Sequence, residues 1–197
     1  MIHSKAENNR QSDYDIDSMF IDRWSPRAFS SEPLSQQQID TLFEAARWAP
    51  SCFNEQPWFF VYAVTPEDRE SFLSTLVKKN QLWANQAPLL IYILVRRNFE
   101  QGARENRHAS FDAGAAWMSL ALQARKMGLY AHAMAGFDQE KAYGILKVAP
   151  KDFHIMAAVA VGYRGDSAHL TEDMLKIETP NNRKPVTEIS QAGFPCR

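Results

Sequence analysis

The chain has 197 residues, 45% of them hydrophobic and 23% charged, an ordinary globular composition with enough length for one good-sized core. Its 22 basic and 23 acidic residues leave a formal net charge of -1. No basic surplus or long Lys/Arg run is present to track a nucleic-acid backbone, so a small molecule or another protein is the expected partner. The two cysteines, Cys52 and Cys196, sit in no C-x-x-C pair and beside no His at ligand spacing, which argues against structural zinc and a disulfide scaffold.

Residues 1–17 are polar with no apolar h-region, so they read as an arm, frayed or used in oligomer contacts, and not as a secretory signal. The expected location is therefore cytoplasmic. A short apolar-basic stretch, MFIDRWSPRAF, follows and is broken by Pro26. Ser35 and Gln38 form an S-x-x-Q capping box ahead of Ile39, Leu42, Phe43, Ala46 and Trp48, which predicts a helix stopped by Pro50. The loop PSCFNEQP leads into a strand over Trp58–Val64, rich in aromatic and β-branched residues. Thr65 or Pro66 opens a second helix, expected to run to about Lys79. Ala87–Val95 is a continuous apolar run, too short for a bilayer and suited to a strand buried on both faces.

After a polar loop, Asp112–Met127 predicts a third helix, apolar on nearly all sides and so expected to be buried all round, in the core or at a dimer interface. Gly128 is placed to end it. Leu129–Phe137 reads as a short extended piece, Asp138 as the cap of a helix to about Val148, and His154–Gly162 as another buried strand. The tail from Tyr163 is polar and contains NNRKPVTEI. Strands alternate with helices, which suggests a layered α/β-type domain. No linker or repeat divides residues 18–197.

There is no G-x-G-x-x-G after a strand, no Walker A loop and no G-x-S-x-G, so a bound phosphate must rely on arginines and backbone amides elsewhere. Two clusters stand out. In Arg23-Trp24-Ser25-Pro26-Arg27, two guanidiniums flank a hydroxyl, and the planar fork of Arg matches phosphate oxygens; such a string is also a common solvated surface. Pro50-Ser51-Cys52-Phe53-Asn54-Glu55-Gln56-Pro57-Trp58 places two amides in a rigid loop, which can carry binding groups or serve as a simple connector.

Together, DRWSPRAF, the block SQQQIDTLFEAARWAPSCFNEQPWFF, NQLWANQAPLLI, the Asp112 helix, AGFD and RKPVTEI follow the order found in the nitroreductase family. The resemblance covers roughly residues 18–190. It implies an α+β, three-layer fold with a central, mainly antiparallel sheet flanked by helices, and a homodimer with FMN at the subunit interface. Position by position, it implies that Arg23, Trp24, Ser25 and Arg27 form the first FMN segment. Arg23 and Arg183 would hold the phosphate, with Arg27 toward the ribityl chain and the N1/C2 edge. Pro50, Ser51, Cys52 and Asn54 would come from the other subunit. Asn80 would set an amide against the flavin, and the backbone N–H groups of Ala135 and Gly136 would reach N5 and O4. The sequence departs from the family where Cys52 replaces a common Ser, Ala135 an occasional Glu and Trp83 an occasional Lys.

The implied chemistry is two-electron exchange, by a ping-pong route, from NAD(P)H through flavin N5 to a nitroaromatic, quinone or similar acceptor. The flavin carries it and no protein residue acts as acid or base. Relatives on this scaffold include reductive dehalogenases and reductases of small carbonyl compounds, and a low-turnover flavin-binding protein is a further alternative. The loop around 98–110 is where a lid over the flavin would distinguish them. No metal, nucleic-acid or membrane partner is expected.

Overall fold

In a computed structural model of the chain, residues 8–101 and 104–194 are described. Cys196, the first seven residues of the expected arm and positions 102 and 103 of the expected lid lie outside them.

The N-terminal half begins with α1 (Ser18–Asp22), whose cap Asp17 accepts the Met19 N–H at 2.8 Å. Next comes α2 (Gln36–Arg47), closed by the capping box of Ser35 and Gln38. It leads through a 3-10 turn at Cys52–Asn54 to β1 (Trp58–Ala63). Thr65 caps α3 (Pro66–Leu73), with Pro66 in the first turn, where its missing N–H is harmless.

The helix expected to continue to Lys79 stops six residues early, and α4 (Lys78–Ala84) starts afresh. Tertiary contacts divide it. Thr75 Oγ1 turns back to Phe72 O at 2.6 Å, Leu76 bridges Phe137, and the Val77 N–H donates to Gly136 O at 3.0 Å. These contacts take the backbone out of the helical path between two stretches of compatible propensity.

β2 (Leu89–Arg96) is followed by α5 (Ala109–Lys126), which ends as expected, with Gly128 at a φ of 78° beyond its last turn. Then come β3 (Tyr130–Met134), α6 (Gln139–Leu146, capped by Asp138), β4 (Phe153–Gly162), α7 (Glu172–Leu175) and α8 (Val186–Ile189).

The strands form one sheet in the order β1-β2-β4-β3, with every neighbouring pair antiparallel. The fold is α+β, and the α/β-type layering suggested by simple alternation is corrected. β2 and β3 run the same way across the α5 connection, but β4 lies between them and opposes both. The alternation of elements along the chain carries no record of that insertion.

β2 shows why there are three layers. Leu89, Ile91, Ile93 and Val95 enter a core shared with α2 and α5, while Leu90, Tyr92 and Leu94 enter a second core with Phe72, Trp83, Met134 and Leu146. A strand with period-2 side chains feeds both faces only if each face is covered, hence its unbroken apolar sequence.

α5 is not buried all round within the chain. Its alanine face, including Ala109, Ala113, Ala116 and Ala124, packs closely, whereas Phe111 is 81% exposed and Trp117, Met118 and Leu122 are half-buried. The sheet and α2 cover one side of the helix and leave this stripe open. Among the described residues, no helix is long and apolar enough to cross a membrane.

Candidate functional site

The segment Arg23–Ser30 is irregular backbone, so its polar groups need partners supplied from elsewhere. The Arg27 N–H lies 2.9 Å from both carboxylate oxygens of Glu178, and the Ala28 N–H donates to Glu178 Oε1 at 2.9 Å. Glu178 is itself buried and comes from the tail beyond α7. The Gly165 N–H donates to Ala28 O, and the Ser30 N–H to Tyr163 O, both at 2.9 Å. His132 on β3 donates from Nδ1 to Pro26 O at 2.8 Å, and its ring lies 4.6 Å from that of Trp83. Burial pushes the His132 imidazole down to about 4, against the pull of the Pro26 carbonyl and assisted by the Arg27 charge. The ring is therefore neutral at pH 7.

These anchors leave the side chains with different roles. Trp24 is buried edge-on to Tyr130, with ring centroids 6.0 Å apart, so a ligand meets only its backbone. Arg23, Ser25 and Arg27 stay half-exposed. Arg23 and Arg183 line one cleft of about 600 Å3, with Arg10, Met118, Asn181 and Lys184 among the other walls. Burial, then the charge of Arg183, lowers the Arg23 pKa. Among the described residues, neither Arg23 nor Arg183 forms an ion pair. Two guanidiniums that line one cleft with no ion-pair partner among the described residues are a site for an anion.

The loop after α2 is held to α5. Asp112, 3% exposed at the start of that helix, accepts the Cys52 N–H at 3.1 Å through Oδ2. Ser51 Oγ accepts the Gln56 N–H at 3.0 Å. Phe53, Asn54 and Gln56 have φ of 53°, 57° and 49°. Asn tolerates this left-handed region; Phe does so at a cost of about 1 kcal/mol or more, so the loop is shaped by its contacts and not by local preference. Pro50, Phe53 and Asn54 are exposed, and Ser51 and Cys52 are half-buried. Phe53 stands 82% exposed.

A third group forms where α4 meets the end of β3. Asn80 Nδ2 donates to Gly136 O at 3.1 Å. A Cβ on Gly136 would lie 2.9 Å from Val77 Cγ2 and 3.0 Å from Asn80 Nδ2, so glycine permits this close approach. Among the described residues, the Gly136 N–H has no protein acceptor, and Ala135 beside it is exposed. Trp83 is 1% exposed, packed between Phe29 and His132, and forms part of the core.

The single chain thus gathers the sequence-identified residues into three groups: Arg23, Ser25, Arg27 and Arg183; Pro50, Ser51, Cys52 and Asn54; and Asn80, Ala135 and Gly136. Four further residues shape the site without having stood out in the sequence. They are Arg10 in the arm, Asp112 behind the loop, His132 behind Pro26 and Glu178 behind Arg27. Each is a lone polar residue, and its role depends on a partner distant in the chain. Among the described residues, no cluster of His, Cys, Asp and Glu is arranged to hold a metal.

Comparison with known proteins identifies the family. The model of the family described as Nitroreductase matches residues 21–163. A crystal structure of an "oxidoreductase containing FMN" is 40% identical, with a TM-score of 0.90 over 95% of this chain and 96% of that one. A Streptomyces coelicolor protein named "Putative NADH dehydrogenase/NAD(P)H nitroreductase" is 28% identical over 166 residues, 74% of this chain and 81% of that protein. A nitroreductase family protein from Streptococcus pneumoniae shares the fold at 21% identity, with a TM-score of 0.72 over 87% of this chain and 96% of that one. The matched span contains the Arg23 segment, the strained loop and the Asn80–Gly136 contact, while Arg10 and Arg183 lie outside it; the chain belongs to the nitroreductase family of oxidoreductases.

Proposed function

We propose that the chain is an FMN-dependent, NAD(P)H-using oxidoreductase that works as a homodimer. The observation that carries this reading is the cleft in which Arg23 and Arg183 converge without an ion-pair partner among the described residues. That donor set fits a phosphate monoester, and the Gly136 N–H, which has no protein acceptor among the described residues, fits a hydrogen bond to the edge of a flat ring. When bound, FMN supplies two-electron exchange between NAD(P)H and a nitroaromatic or quinone acceptor.

The protein's own contribution is binding, orientation and charge. Arg23 and Arg183 bind the phosphate dianion. Ser25 adds a hydroxyl beside it. Arg27, its backbone fixed by Glu178, holds positive charge toward the N1/C2 edge, where negative charge develops on reduction. Ala135 and Gly136 offer backbone N–H groups to the N5 and O4 edge, and Asn80 is oriented by Gly136 O. His132 is neutral, and its Nδ1 proton is committed to Pro26, so it stands behind the site as a support.

Pro50, Ser51, Cys52 and Asn54 complete the site from the partner subunit. Support comes from the exposed apolar groups around them: Trp48 is 74% exposed, Phe53 82% and Phe111 81%, a surface that a second copy would cover.

Absorbance of the purified protein tests this reading, before and after anaerobic addition of NADPH and then NADH. Flavin bands that bleach with one nucleotide are expected, and that nucleotide is the donor. A colourless protein that takes up no added FMN would overturn it.

A further inference from the structure

A third guanidinium reaches the Arg23–Arg183 cleft from the polar N-terminal arm. Arg10 Nε donates to Asn181 O at 2.7 Å and Nη2 to Asn181 Oδ1 at 3.0 Å, while Nη1 donates to Ile21 O at 3.0 Å and Arg23 O at 2.8 Å. Arg183 Nη1 donates to the same Asn181 Oδ1 at 3.0 Å. One residue before the cleft wall, Asn8 Nδ2 bonds Ile21 O and Asp22 Oδ1, each at 3.2 Å. The arm, the turn after α1 and the tail before α8 are therefore tied together at Arg10.

Among the described residues, all of Arg10's acceptors are neutral oxygens, which satisfy its donors without offsetting its charge. Burial, then the charges of Arg183 and Arg23, lowers its pKa. Asp13 and Lys184 are the other charged residues lining the cleft, and among the described residues Asp13 is ion-paired to none of the three arginines. Three like charges brought together from the arm, the turn after α1 and the tail repel one another, and an anion shared between them would offset that repulsion. Among the described residues, Arg10 spends four of its N–H groups, one on Nε, two on Nη1 and one on Nη2, and the second Nη2 hydrogen remains for such an anion.

We propose that Arg10 is the third guanidinium of this phosphate-monoester site, and that the FMN phosphate docks the N-terminal arm onto the C-terminal tail by binding there. The proposal rests on the flavin reading above. A dianion that binds the docked arrangement and not the open one shifts the arm toward docking by mass action. The cofactor thus closes the arm and tail over its own phosphate.

The test pairs flavin fluorescence titration with limited chymotrypsin digestion at Tyr14, which is 66% exposed in the arm. In the wild-type chain FMN is expected to slow this cleavage at least tenfold, and riboflavin, which lacks the phosphate, is expected to leave it unchanged. Arg10→Met should bind FMN about tenfold more weakly while binding riboflavin as before, and FMN should no longer protect its arm. Arg10→Lys, which keeps the charge, should recover part of both effects.

Equal FMN affinity in wild type and Arg10→Met, or equal protection by riboflavin and FMN, would overturn the proposal and leave the flavin reading standing. Inorganic phosphate protecting as well as FMN at equal concentration would assign the site to free phosphate and overturn the link to flavin. Failure of both wild type and variant to bind any flavin would overturn the function itself. The unfolding midpoint of each variant, read by circular dichroism, guards against a misfolded sample.

Discussion

His132, bonded to the Pro26 carbonyl, and the adjacent Arg27 each have a measurable consequence. The His132 imidazole is held at about 4 in the folded chain, below its ordinary value of 6.5. As the pH falls, the unfolded chain therefore takes up a proton near 6.5 while the folded chain resists until about 4. Stability is intact above pH 6.5, declines between there and 4, and levels off below. At about 1.36 kcal/mol per unit, the whole decline is about 3 kcal/mol. Urea melts at pH 7 and pH 5 should show wild type losing about 2 kcal/mol more than His132→Asn, and equal losses would remove the assignment. For Arg27, loss of positive charge near the flavin should disfavour the reduced, more negative form. Arg27→Ala, loaded with FMN, should have a reduction potential lower by about 30 mV, the equivalent of ~1.4 kcal/mol for two electrons. An unchanged potential by dye-equilibrated reduction would sink that role.

Among the elements, the Arg23–Ser30 segment depends on the chain just beyond β4. Phe29 bridges Arg164, and the Gly165 N–H reaches Ala28 O. A Cβ on Gly165 would lie 2.5 Å from Phe29 O and 2.7 Å from Ser30 N, both backbone atoms that cannot rotate away. Gly165→Ala should therefore destabilise the fold by about 2 kcal/mol and weaken FMN binding, because the segment it displaces presents Arg23 and Arg27. Thermal melts and flavin titration of the same sample check both effects. A stable protein with normal FMN affinity would mean that this pairing does not position the arginines. The capping box of α2, the side-chain caps of α3 and α6 and the glycine after α5 were readable beforehand, because caps are set by residues a few positions apart. The division between α3 and α4 was not, because its cause is the remote Gly136 carbonyl.

At the scale of the whole molecule, the open stripe of α5 and the exposed Trp48, Phe53 and Phe111 form the surface that the proposed homodimer would cover. Light scattering of the FMN-loaded protein should give twice the chain mass. Phe111→Glu, placed on that surface and away from the chain's own core, should shift the mass toward the monomer and lower FMN affinity at least tenfold. A monomer that retains tight FMN would show that one chain is sufficient. Both outcomes are separate from the Arg10 test, since that residue lies in the arm and Phe111 on a core helix.

By itself, the sequence determined the four strands, the helices α2, α5 and α6 and the family. Apolar runs, caps and glycine stops specify strands and helices through neighbours, and the DRWSPRAF and PSCFNEQPW strings carry the family resemblance in order. Only the tertiary structure decided the insertion of β4 between β2 and β3, the core placement of Trp24 and Trp83, and the supporting roles of Glu178, Asp112 and His132. It alone brought Arg10 to Arg183, 173 positions further along the chain. These features rest on hydrogen bonds and burial between distant segments. A polar side chain acquires such a role from the partner that folding sets opposite it, and its immediate sequence neighbours carry no record of that partner.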